Sequence, residues 1–409
     1  MSASAATLRQ DSTIIGLIGL AHGSSHFFQL LLPPLFPLLK AEFDVSYAQL
    51  GVLMMVFYTI SGVCQTLAGF AVDRFGARRV LLFGVGIMAV SALLMSIAPG
   101  FWALVACVVL AGLGNSVFHP SDFTILNARI NPKRLGHAFS VHGLSGSLGY
   151  AAAPLTMVAL AAAFGWRGAL FAVGSVGLVL FGVLFANRRL FTSADEASEL
   201  AATALARSKT GGGLIPLLTT PVLLCFAYFL LLAMALTGLQ SFAIPALMDF
   251  MQVAQTSATL ALTCYFLGNT VGVVAGGFAA SWTTRHDVVA AAGMSSGALL
   301  FLLIAGGMVS AAFVVPVFAL AGFSSGITGP SRDLIVRGAA AKGATGRVYG
   351  FVYSGLDTGS ALTPVMLGWL LDHGHASSIF LFVGIVLLCG VATVIQVRQR
   401  SAPPAIARP

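Results

Sequence analysis

The sequence predicts an all-α integral membrane protein of twelve transmembrane helices in two pseudo-symmetric six-helix halves. Three observations predict it. Of 409 residues, 58% are hydrophobic and only 8% charged, against about 25% charged in a soluble domain, and so few charges cannot cover a water-facing surface. Continuous apolar runs of about 20 residues, enough to cross a bilayer core as a helix, recur along nearly the whole chain. They do not alternate as barrel strands do, and helices satisfy their own backbone groups in lipid. Finally, the second half repeats the punctuation of the first.

The spans are expected near 14–39, 48–72, 79–98, 101–126, 136–163 and 168–187, then 217–247, 254–281, 288–307, 311–336, 346–371 and 377–397. The first is not expected to be a cleavable signal, because it is too long, carries His22 and His26, and lacks a small-residue cleavage site. Pro33, Pro34 and Pro37 near its end, and Pro245 in the seventh span, read as bendable segments. The net charge of +8 does not read as a nucleic-acid surface, because it is sorted by loop. Arg74, Arg78, Arg79, Arg129, Lys133, Arg134, Arg188 and Arg189 fall on one side of the membrane, and only Lys40 and Arg167 on the other. That positive-inside bias predicts a multi-pass protein of the inner (cytoplasmic) membrane with both termini in the cytoplasm. Cys64, Cys107, Cys225, Cys264 and Cys389 all lie within apolar spans without paired spacing, which reads as buried small hydrophobes.

The repeat is visible in AGLGNSVFHPSDFTIL (Ala111–Leu126) and AGFSSGITGPSRDLIV (Ala321–Val336). A shift of 210 aligns Pro120 with Pro330, Gly149 with Gly359 and Pro154 with Pro364; a shift of 211 aligns Gln29 with Gln240 and Pro34 with Pro245. Small and helix-breaking residues held in register over six spans predict an N-terminal half at 1–187 and a C-terminal half at 214–409. The polar, Gly-ending stretch 188–213 joins them as a cytoplasmic linker.

Two parallel six-span halves, with GFAVDRFGARRV (Gly69–Val80) between spans two and three, resemble the major facilitator superfamily. Its loop signature corresponds here to Gly69, Asp73, Gly76, Arg78 and Arg79. GNSVFHP (Gly114–Pro120) and SVHGLSGSLGYAAAPL (Ser140–Leu155) give a narrower resemblance to the fosmidomycin-resistance group. The resemblance implies a major facilitator fold, alternating access around a central site, and coupling to a proton or substrate gradient. It also implies a latch in which Asp73 and Arg78 meet an acid at the end of span four. That acid is Asp122, and Arg332 stands at the equivalent place in the second half. A monomer is what the family implies.

A polar group facing hydrocarbon is costly, so those inside spans are expected to face a cavity or a partner helix. His22, His26 and Gln29 fall on one helical stripe, as do Asn115, His119 and Asp122; Tyr265 and Asn269 are four apart, and Tyr349, Tyr353 and Asp357 form a further stripe. With His142 and Gln240, these are the candidate substrate-binding residues: His22, His26, Gln29, Asn115, His119, His142, Gln240, Tyr265, Asn269, Tyr353 and Asp357. Asp357 lies mid-span, where a carboxylate costs about 3 kcal/mol on insertion scales. With His26 and His119 it is the candidate proton-coupling group; a structural acid bonded to Ser354 or Thr358 is the other reading. His22 and His26 have metal-ligand spacing, yet two histidines on one helix with no carboxylate beside them are not enough to assign a metal. No metal or cofactor is therefore expected.

The functional expectation is a proton-coupled secondary transporter exporting a small polar or anionic compound, such as a fosmidomycin-like drug or metabolite. An importer of an organic anion or metal complex is the alternative, and a non-transporting receptor or scaffold a distant third. The expected partners are a small-molecule substrate, protons and the bilayer, and not nucleic acid. No zinc-protease motif or phosphate-binding glycine loop occurs, so an enzyme is not expected.

Overall fold

In the computed structural model the described residues are 3–192, 219–332, 335 and 345–401, and they are α-helical with short 3-10 turns. The helices are α1 (Ala3–Gln29), α2 (Phe36–Phe43), α3 (Tyr47–Phe75), α4 (Ala77–Ser96), α5 (Phe101–Asn115), α6 (Phe118–Arg129) and α7 (Leu135–Ala186). After residues 193–218, which include most of the expected linker and lie outside the described residues, come α8 (Thr220–Met251), α9 (Gln255–Trp282), α10 (His286–Ala305), α11 (Val314–Gly326), α12 (Thr345–Asp372) and α13 (Ser377–Ser401).

Ten segments among the described residues are long and apolar enough to cross a membrane. The longest, Pro132–Ala186, is divided at Gly165, whose φ of 71° and ψ of 166° break α7 into two crossings. The 28 residues of α12 make a further helix of crossing length.

Three expected spans are not single rods. The first ends at Gln29, turns through a 3-10 segment at Pro33–Leu35, and resumes as α2. Pro33 and Pro34 lack the N–H groups that would extend α1, which explains the break. The fourth span breaks at Ser116–Val117 between α5 and α6, and the tenth breaks at Ile327–Thr328, after Gly326. Pro120 and Pro330 cannot donate to the carbonyls of Ser116 and Gly326 four residues earlier, so each helix loses a bond at the same place. The echoed Ala-Gly and Pro-Ser letters therefore encode a shared broken span.

The chain forms two compact units. One holds the described residues through 45 and from 52 to 192; the other holds 46–51 and the described residues from 219 onward. In the first unit, Ile14, Leu17, Ile18 and Ala21 of α1 pack with Val117, Phe118, Ile125 and Ala138 in one apolar cluster. This unit also has an internal charge anchor: buried Asp11 accepts from Arg134 Nε at 2.8 Å and from the Asn131 N–H at 3.2 Å. In the second unit, Phe301, Phe318 and Phe380 are fully buried, and Tyr265 packs edge to face on Phe318 and at a tilt on Phe301. There too, Asp372 at the end of α12 accepts from the first two N–H groups of α3, those of Tyr47 and Ala48, both at 2.8 Å. A carboxylate on the free N–H groups of a helix start is favourable electrostatically.

Candidate functional site

The polar residues of the first unit converge. Gly149 of α7 lies against α1 so closely that a Cβ there would collide with the Gly23 carbonyl oxygen. A Cβ on Gly146 would sit 3.0 Å from His22 Nε2 and 3.2 Å from His26 Cε1. These two glycines bring α7 onto the histidine stripe of α1, and packing then decides the chemistry. His142 Nε2 lies 3.1 Å from Asp122 Oδ2, and His22 Nδ1 lies 3.3 Å from the same oxygen. The His22 and His142 rings stack with centroids 3.5 Å apart. His22, Asp122 and His142 are only 3%, 0% and 5% exposed.

The site continues outward from this triad. The His26 and His119 rings lie 4.6 and 5.3 Å from that of His22. His119 is exposed, and its Nδ1 pairs with Gln65 Oε1 at 3.3 Å. Gln29 is buried, donates to Asn115 Oδ1 at 3.2 Å and accepts from the Tyr150 hydroxyl at 2.7 Å; Asn115 in turn donates to Ser61 Oγ at 2.8 Å. The Tyr150 ring also touches His26, at 4.3 Å between centroids. Ser61, Gln65 and Tyr150 were not among the sequence candidates. Tyr150 was detectable, since it lies eight residues after His142 on one face of a helix, and so were Ser61 and Gln65, four apart in an apolar span.

Several buried polar atoms of this cluster have no hydrogen-bond partner among the described residues: Asp122 Oδ1, His22 Nδ1, and both ring nitrogens of His26. Such groups cost free energy in an apolar interior, so a site holding several of them is arranged for something other than stability.

In this structure the acid expected in the latch faces the histidines. Asp122 is turned toward His22 and His142, and it is not paired with Arg78, whose Nη1 donates to Thr192 Oγ1 at 3.3 Å. The reason is helical phase: Asp122 lies one turn beyond His119 on the face of α6 that meets α1 and α7. Asp73 is half-buried.

The candidates of the second unit are more scattered. Gln240 is buried, Asn269 is half-buried, and Tyr265 belongs to the aromatic core. The Tyr353 ring lies 4.8 Å from that of Phe229, and the Arg332 guanidinium covers the same ring at 5.0 Å. Asp357 is half-buried. Ser354 and Thr358, the hydroxyls expected to hold it in a structural role, donate instead to the carbonyls of Phe351 and Ser354, at 2.7 and 2.9 Å. The Tyr349 side chain and Asp333 lie outside the described residues.

A family model for the Major Facilitator Superfamily matches residues 18–249 and 230–408, which is essentially the whole chain. The chain belongs to the major facilitator superfamily. Among curated members it is similar to the Fosmidomycin resistance protein of Escherichia coli (strain K12), 28% identical over 164 residues that make up 40% of each chain. It is also similar to the Hexuronate transporter of Bacillus subtilis (strain 168), 22% identical over 389 residues and 90% of each chain. The match to the resistance protein spans about two-fifths of that relative's length. Among solved structures, a bacterial homolog of the human lysosomal transporter Spinster, inward-facing and occupied, superposes with a TM-score of 0.77 over 96% of this chain and 99% of that one. At 14% identity this likeness is one of fold. As a superfamily member the chain is a multi-pass, all-α membrane protein, and it forms two compact units.

Proposed function

We propose that this superfamily member is a proton-coupled secondary transporter of the bacterial inner membrane, with both termini cytoplasmic, that exports a small polar or anionic compound by alternating access. The observation that carries the proposal is the buried His22–Asp122–His142 cluster, extended by His26 and His119 toward an exposed edge. Four histidines and a carboxylate within hydrocarbon depth are expensive unless they handle charge. Imidazoles change charge near neutral pH, and a carboxylate that faces two of them holds a proton in a defined place. Gln29, Asn115 and Tyr150 supply neutral donors and acceptors beside this cluster, as recognition of a small polar ligand requires.

Asp357 is the second proton-coupling candidate, because its neighbouring hydroxyls are committed to backbone carbonyls. One proton moving through a potential of 100 mV supplies about 2.3 kcal/mol, enough to concentrate a solute some fifty-fold. The names of the relatives favour an anionic cargo: one is a fosmidomycin resistance protein, another a hexuronate transporter.

The test is growth inhibition in a bacterial host stripped of its own efflux pumps, with and without this chain, across fosmidomycin, hexuronates and other small anions. Export predicts protection that disappears in Asp122→Asn or Asp357→Asn at equal membrane abundance. Sensitisation would make the chain an importer. Protection untouched by either substitution would remove both carboxylates from the coupling machinery.

A further inference from the structure

We infer that His22, Asp122 and His142 form a binding site for a divalent first-row transition-metal ion, with Zn(II) the best match to the donor set. The inference names a ligand class for the cluster on which the transport reading rests, but it is read out without transport, so the two fail separately.

The geometry comes first. Donor atoms about 2.0–2.1 Å from a tetrahedral zinc ion lie about 3.3–3.4 Å from one another. Here Asp122 Oδ2 is 3.3 Å from His22 Nδ1 and 3.1 Å from His142 Nε2, and since the two imidazoles stack with centroids 3.5 Å apart, an ion enters among the three once one ring turns out of the stack and aims its nitrogen at it. Hydrogen bonding explains only part of the arrangement: His142 Nε2 bonds Asp122, whereas His22 Nδ1 and Asp122 Oδ1 have no hydrogen-bond partner among the described residues. Two nitrogens aimed at one carboxylate oxygen, with the other oxygen unused, is a ligand set in search of a cation.

The donor chemistry narrows the ion. Two neutral imidazoles and one carboxylate suit Zn(II), Fe(II), Co(II) or Ni(II), and are too poor in oxygen for Ca(II) or Mg(II). One carboxylate against a divalent ion leaves a net positive charge. Three protein ligands also leave a coordination position open, the pattern of sites that exchange a fourth ligand. An oxyanion of the cargo would fill that position and balance the charge.

A route for the ion is present as well. His22, His26 and His119 form a second group whose donor atoms all lie within 4.8 Å of one another, as do those of His22, Asp122 and His142. Since His22 belongs to both groups and His119 is exposed, the two triads form a ladder from the accessible edge to the buried carboxylate. No single helix shows this set. His22 and His26 come from α1, His119 and Asp122 from α6, and His142 from α7.

The experiment uses the full chain, purified without a histidine tag into nanodiscs and dialysed against Zn(II) or Co(II). The expected result is one ion per chain at low micromolar free metal, by elemental analysis. Bound Co(II) should show the intense visible absorption of a four-coordinate site. Asp122→Asn and His142→Ala should each weaken binding by about tenfold or more. A variant with His137, His286, His373 and His375, the histidines outside the cluster, changed to Gln should keep the ion. Absence of stoichiometric binding, weak six-coordinate Co(II) absorption, loss of binding in the four-Gln variant, or full binding in Asp122→Asn would each overturn the site. Should the cluster variants fail to fold, wild-type stoichiometry and the Co(II) spectrum decide alone.

Discussion

The two units place different chemistry on equivalent positions. His22, His26, Asp122 and His142 in the first correspond, by the 210–211 shifts, to Ala233, Thr237, Arg332 and Val352 in the second. The contacts persist while the atoms change. His26 touches Tyr150 at 4.3 Å between rings, and their counterparts Thr237 and Ser360 meet in a 2.8 Å hydrogen bond. Val352 is fully buried where His142 stands, and Val222 where Asp11 anchors Arg134. Even the close approach recurs, since a Cβ on Gly359 would collide with the Leu230 carbonyl oxygen as one on Gly149 would with that of Gly23. Backbone geometry is what the duplication shares, and imidazoles and a carboxylate are what only the first unit carries at these places. Selection for packing alone would have no reason to keep four histidines and an acid in one copy.

The largest expected effect tests the shared part. Gly149→Leu and Gly359→Leu should each force apart two helices whose backbones touch, at about 3 kcal/mol or more. Both variants should lose monodisperse protein in size-exclusion chromatography, and tolerance at one position alone would break the equivalence of the halves. Next comes the Asp11–Arg134 anchor, at a place where the second unit carries Val222. Asp11→Val imitates the second unit and leaves Arg134, which is 28% exposed on its side chain, without its carboxylate. A partly solvated pair lies below the 3–5 kcal/mol of a fully buried one, so a loss of about 2 kcal/mol is expected, read as a lower thermal midpoint in detergent. An unchanged midpoint would mean that this anchor contributes nothing to stability.

Smaller still is the difference at the Thr237–Ser360 contact. Thr237→Val removes one neutral hydrogen bond and should cost about 1 kcal/mol while leaving transport intact. His26→Leu at the matching place should leave stability within the same range and reduce transport at least tenfold. Equal transport in the two variants would erase the functional asymmetry between the units.

Much of this was legible in the sequence, and the reasons are physical. Hydrophobic runs fixed the spans to within a few residues because lipid imposes both length and composition on a crossing helix. The repeated Pro120 and Pro330 marked positions of the broken spans, but the sequence reading treated the fourth and tenth as continuous, since an apolar run does not reveal a missing backbone bond. Stripes placed His22, His26, Asn115 and His119 correctly on shared faces, because that information is local to one helix. Which stripe meets which is not local. Asp122 was placed on a stripe with Asn115 and His119, but its histidine neighbours stand 100 and 20 residues away on other helices, beyond the reach of a local pattern. The glycines that allow the meeting, Gly146 and Gly149, are on α7, and nothing local shows that they face the histidine stripe of α1. Tyr265, whose stripe with Asn269 suggested a wet face, stands among the aromatic rings of Phe301 and Phe318.

The central claim is that the asymmetric cluster of the first unit, and Asp122 within it, couples cargo to protons. The most direct measurement is uptake of labelled fosmidomycin, or of whichever anion protects cells, into everted membrane vesicles under an imposed pH gradient, comparing wild type with Asp122→Asn at equal abundance. The account predicts accumulation above the external concentration in wild type, and equilibration without accumulation in Asp122→Asn. Gradient-driven accumulation in Asp122→Asn equal to that of wild type would contradict it.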